Sequence, residues 1–107
     1  RLSSRFESMQ VEHMRVTIVG LITPHVLRVI DLAKEAETGA NVDFHLRDAV
    51  ARTIDDLGHQ HNAKDLLTAY IHGLETAAQE AGQFRKVYAN ALKTAATNAA
   101  GRLRQLD

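Results

Sequence analysis

The sequence predicts an all-α protein: a small bundle of about four helices with a long C-terminal helix, forming a single domain over residues 1–107 and completed by dimerisation. Three observations predict it. Apolar or small residues alternate four and three apart through Ala63, Leu67, Tyr70, Leu74, Ala77, Ala81, Phe84, Tyr88, Ala91 and Ala95, the period of one helical face. Aromatic residues make up only 5% of the chain and proline occurs once, a composition that suits helices better than sheets. At 107 residues the chain is long enough for one core and too short for two, and helical proteins of this size often complete their core with a second copy.

In chain order, residues 2–22 read as a first helix with Ser3 or Ser4 capping its start and Glu7 completing a capping box. It is apolar on two faces. One runs through Leu2, Phe6, Met9, Val16 and Gly20, with His13 at its middle, the other through Val11, Met14, Ile18 and Leu21. Thr23-Pro24 reads as a break, because Thr is a good N-cap and Pro is best tolerated in a first turn. A short second helix follows, burying Val26, Leu27, Ile30 and Ala33 and ending at Gly39. Asn41 or Asp43 caps a third helix, with Leu46, Val50, Ile54 and Leu57 facing inward, an Asp48–Arg52 pair outward, and Gly58 as its stop. Asn62 caps the fourth, which is read as one helix to Leu106, or two nearly collinear ones, with a bend at Gly82.

Charge excludes some functions. Lys plus Arg equals Asp plus Glu at 13 each, so no basic excess holds a phosphate backbone, and no direct nucleic-acid partner is expected. The charge is nevertheless uneven: residues 83–107 carry five basic groups against one acidic, residues 39–82 three against seven. Such asymmetry orients helices or a dimer. Cysteine is absent, which suits a reducing compartment, and no signal peptide is visible. The most apolar run, Val16 to Leu32, contains Pro24, His25, Arg28 and Asp31, so no membrane span is expected. The expected location is cytoplasmic.

Histidine is the one catalytically suggestive residue type, with six copies. His59 and His61 share a predicted loop and form the best metal candidate, but a site needs three or four ligands and no third is implied by the spacing. His13 reads as a packing residue. No nucleophile–base order, phosphate-cradling glycine loop or thiolate is present, so neither an enzyme nor a cofactor is expected. The segment His72-Gly73-Leu74-Glu75-Thr76-Ala77-Ala78-Gln79-Glu80-Ala81-Gly82 is similar to the helix of histidine phosphotransfer domains, with Leu74, Ala78 and Gly82 matching. It departs at Glu75 and Thr76, where that family has a Lys and a Gly. An anion thus replaces the cation that favours a phosphoryl group.

Surface then becomes the main functional feature. The two-faced first helix, with adaptable Met side chains, points to a partner-binding face comprising Met14, Ile18, Leu21, Ile22 and Val26. The small residues of the long seam point to dimer packing through Leu74, Ala77, Ala81, Phe84, Tyr88 and Ala91. A short, helical, charge-neutral chain with an apolar stretch from Val11 to Leu32 resembles the quorum-sensing anti-activators that bind LuxR-type receptors, the QslA-like regulators of bacteria. That resemblance implies a homodimer that inhibits a transcription factor by occupying it. Other helical adaptors and chaperones share the same outline.

Overall fold

The structure, a computed structural model, describes the backbone of residues 2–106 and the side chains of residues 17–106. It is all-helical, with α1 over Leu2–Glu37, α2 over Asp43–Gly58, α3 over Ala63–Glu80 and α4 over Lys86–Gln105. Every helix packs against the other three, and α3 and α4 share the most extensive interface. None of the described helices is long and apolar enough to cross a membrane.

The number of helices agrees with the sequence reading, but their division does not. The expected break at Thr23-Pro24 is absent: α1 runs through Pro24 as one helix of 36 residues. Its inward face explains why. Ile18, Ile22, Val26, Val29, Ala33 and Ala36 follow one another at helical spacing and are buried or half-buried, so packing on both sides of Pro24 holds one axis. Proline removes one backbone donor, and nearby the Thr23 hydroxyl donates to the Val19 carbonyl at 2.6 Å. Continuity also corrects the burial of Leu27, which is 52% exposed on the outward side while Val29 takes the inward position. At 1.5 Å per residue α1 is about 54 Å long, against about 30 Å for α4. The 56 Å long axis of the molecule matches that length.

The long C-terminal helix is the second correction. The chain leaves helix after Glu80 and re-enters it at Lys86, and Gly82 lies between them at φ +73°, a left-handed conformation that other residues rarely adopt. The result is not a bend but a reversal, which lays α4 back along α3. The four-three seam survives because both arms face one core: Leu67, Tyr70 and Leu74 on α3, then Tyr88, Ala91 and Ala95 on α4, are all buried. Beside them Leu66 and Leu92 are fully buried, and Val29 of α1 and Val50 of α2 close the centre. Gly73 lets α1 approach closely, since a Cβ there would come within 3.2 Å of a Val26 methyl group.

Three helix ends follow the sequence: α1 stops at Glu37 with Gly39 at φ +94°, α2 stops at Gly58, and α3 starts after Asn62. The caps differ in detail. Val42, not Asn41 or Asp43, occupies the N-cap of α2; Asn41 instead accepts a hydrogen bond from the Asp43 N–H at 3.2 Å, and Asn62 makes no side-chain cap bond. Asp48 and Arg52 pair across one turn at 3.0 Å, with the arginine largely exposed, so the pair stabilises by a few tenths of a kcal/mol at most. The Ser3, Ser4 and Glu7 cap, Leu2, Phe6, Met9, His13 and Val16 of one expected face, and Val11 and Met14 of the other involve side chains outside the described residues.

Because α1 is continuous, Pro24→Ala restores an interior helical hydrogen bond and is expected to stabilise the protein by up to about 3 kcal/mol in denaturant unfolding. A helix that started at Pro24 would gain nothing from that change.

Candidate protein-binding surfaces

Two surface features stand out, and both arise from the return of α4 along the bundle. The first is a groove between α2 and α4. Its main section has a volume of about 640 Å³ and presents three cations, Arg47 from α2 and Lys93 and Arg102 from α4. Between the cations lie Asn90, Thr94, Thr97 and Asn98, which supply amide and hydroxyl groups. The sequence of α4 contains no acidic residue. Among the described residues none of the three cations is engaged in an ion pair, whereas Arg52 and Arg85 are.

The groove continues toward the α1–α2 loop as a smaller hollow of about 360 Å³, still bordered by Asn90 and Thr94. Here the cations are absent, and Ala36, Val42, Leu46, Val87 and Ala91 share the lining with Asn41 and Asp43. Asp43 stands at the junction of the two sections and is the acidic group of the lining.

The second feature is the pole of the bundle where that hollow ends. Phe84, in the α3–α4 turn, is 99% exposed, and Phe44, in the first turn of α2, is 74% exposed. Val87 is 53% exposed on the first turn of α4. The pole is held by Arg85, whose guanidinium donates to both carboxylate oxygens of Glu37, at 3.0 Å from Nε and 2.5 Å from Nη2. Those hydrogen bonds, and to a smaller extent the Arg85 and Lys34 charges, hold the Glu37 carboxyl below its ordinary pKa. The same guanidinium lies 3.8 Å from the centre of the Tyr88 ring. Bidentate pairing with stacking is a geometry lysine could not supply.

The structure separates the residues expected to act together. Of the expected partner face, Met14 has its side chain outside the described residues. Ile22 is buried, Ile18 and Val26 are half-buried, and Leu21 is 42% exposed. Among the described side chains of α1, the other exposed large apolar residues are Val19 at 57% and Leu27, a little over two turns apart. Of the residues expected to pack a dimer, Leu74, Tyr88 and Ala91 belong to the chain's own core, Ala77 and Ala81 are half-buried at its edge, and Phe84 faces solvent.

The histidines do not converge. His59 and His61 are exposed in the α2–α3 loop, and among the described residues no three His, Asp or Glu side chains meet where they could share a metal. His72 is exposed on α3, with exposed Glu75 three residues on. Ala78 is buried and Gly82 lies beyond the end of the helix.

Sequence reasoning found the charge asymmetry of residues 83–107 but not the groove. The signal was the outer side of α4, where Asn90, Lys93, Thr94, Thr97, Asn98 and Arg102 recur at helical spacing with no carboxylate among them. Arg47 could not be added to that set without knowing that α2 borders α4. No protein-family model, curated protein or solved structure matches the chain.

Among the described residues a polar cluster lies inside the bundle. The buried Thr53 hydroxyl donates to the Ala49 carbonyl at 2.8 Å and is left to accept from His25 Nδ1 at 3.3 Å, which joins α2 to α1. Tyr70 of α3 lies beside it with its hydroxyl buried and no hydrogen bond of good geometry, and burial raises its pKa above 10, a shift only partly offset by the nearby Thr53 hydroxyl. A raised folded-state pKa leaves stability intact below pH 10 and removes it as pH climbs through the higher value, since the unfolded chain ionises first. Tyr70→Phe is therefore expected to change stability by less than about 1 kcal/mol at neutral pH and to reduce the alkaline loss. Urea unfolding at pH 7 and above pH 10 checks both; a larger loss at pH 7 would mean that the hydroxyl is bonded.

Proposed function

We propose that this protein is a small regulator that works by binding another protein, as a homodimeric cytoplasmic inhibitor that occupies a partner such as a transcription factor, in the manner of quorum-sensing anti-activators. The observation that carries the reading is the exposure of Phe84 and Phe44 at one pole. Aromatic side chains left in water forgo roughly 2 kcal/mol each of burial free energy, and they are enriched where proteins meet. The exposed apolar residues among the described part of α1, Val19, Leu21 and Leu27, add further apolar surface at separate positions around a helix much longer than its neighbours. With Leu74, Tyr88 and Ala91 used internally, a dimer is left with Phe84 and the half-buried edge at Ala77 and Ala81, or with α1.

A second reading, phosphotransfer through His72, has in its favour the exposure of that imidazole on a helix of a four-helix bundle. Against it stands Glu75, one turn away on the same helix.

Affinity capture from the native host separates the two. The regulator reading predicts that a transcription factor is recovered, that Phe84→Asp or Leu21→Asp abolishes recovery while helical circular dichroism is unchanged, and that His72→Gln has no effect. Recovery that survives both aspartate substitutions, or that is lost only on changing His72, contradicts it.

A further inference from the structure

We infer that the α2–α4 groove is a docking site for a short acidic segment of a partner protein that carries an apolar side chain at one end. The inference rests on the protein-binding reading and adds the chemistry of what is bound. It follows first from charge. Arg47, Lys93 and Arg102 project into one groove, form no ion pair among the described residues, and meet no carboxylate in its main section. All three carry the same sign of charge, so an anionic occupant can pair with each of them in turn.

The uncharged lining gives the second argument. Asn90 and Asn98 each offer an amide donor and an amide carbonyl, and Thr94 and Thr97 each a hydroxyl that both donates and accepts. Such a set matches a peptide backbone, which presents donors and acceptors along its length. It suits a phosphodiester backbone, which presents acceptors alone, less well. The lining also lacks an aromatic ring on which a base could stack, and the chain as a whole carries no net charge.

The groove also changes along its length. At the pole no cation lines the groove, and the exposed Val87 together with the edges of Val42, Leu46 and Ala91 borders a hollow of about 360 Å³, shared with Asn41, Asp43, Asn90 and Thr94, that has room for one apolar side chain. From Val87 to Arg102 the α4 surface extends for about 22 Å at 1.5 Å per residue. That span corresponds to six or seven extended residues at about 3.3 Å each. Asp43, at the junction, marks where an acidic side chain is excluded and the apolar anchor begins.

Fluorescence polarisation with the full chain tests the inference. The probes are a dye-labelled peptide of six glutamates followed by a leucine, the same peptide with lysines for glutamates, and a labelled thymidine oligonucleotide of similar length. The groove is expected to bind the glutamate peptide, to weaken by about tenfold or more when salt is raised from 50 to 500 mM, and to leave the lysine peptide and the oligonucleotide unbound. The double variant Lys93→Glu, Arg102→Glu should lose at least tenfold in affinity. Arg47→Glu, on the opposite wall, should independently weaken binding severalfold. All three side chains are exposed, and unchanged circular dichroism verifies folding. Failure to bind the glutamate peptide, equal binding by the reversed variants, or tighter binding of the oligonucleotide overturns the inference. Protein capture through Phe84 or Leu21 would stand apart from any of those results.

Discussion

Gly82 adopts φ +73°, a conformation that costs other residues strain, and the chain uses it to turn between Glu80 and Lys86. Much of the bundle depends on that turn. Without it, Tyr88, Leu92, Ala95, Ala96 and Ala99 would carry their apolar face away from Leu66, Tyr70 and Leu74, and the core would lose its largest interface. Reversal brings the two faces together. The small alanines of α4 then let three other helices lie close to it, and the Arg85–Glu37 pair fixes the turn to the end of α1. Because α4 returns beside α2, the groove between them exists; because the turn falls at the pole, Phe84 is left in water.

The legible parts of this fold were those set by local chemistry. Gly39 and Gly58 end helices where expected, and the inward face of α2 reads directly from Leu46, Val50 and Leu57, with Ile54 at its margin. Two long-range facts were not legible. The Ala63–Ala95 seam keeps its phase through Gly82, and a seam cannot reveal whether its halves face one core by continuing or by folding back. At Pro24 local chemistry pointed to a break, and packing overrode it, because Ile18, Ile22, Val26, Val29 and Ala33 need a common axis to reach α2, α3 and α4. The spacing of those five residues was present in the sequence; only their shared destination was not.

The surfaces divide in the same way. Individual exposed apolar residues such as Leu21 are legible in the sequence, but the placing of both Phe44 and Phe84 at one pole requires that the α1–α2 and α3–α4 connections lie at the same end, as the Glu37–Arg85 contact demonstrates. The basic character of residues 83–107 was evident from composition, and the fold concentrates part of it into a groove by adding Arg47 from a helix forty residues earlier. Apolar pole and cationic groove meet at Val87, which gives one continuous surface two kinds of chemistry.

Both surfaces require the α3–α4 reversal, so the most direct test measures it. The chain contains no cysteine, and spin labels can be placed uniquely by Lys64→Cys and Gln105→Cys for pulsed electron–electron resonance. Lys64 and Leu106 border one hollow at the end of the bundle opposite the turn. The account predicts a label separation of about 25 Å or less. A separation of about 60 Å, the length of an uninterrupted helix over the same residues at 1.5 Å per residue, would contradict it.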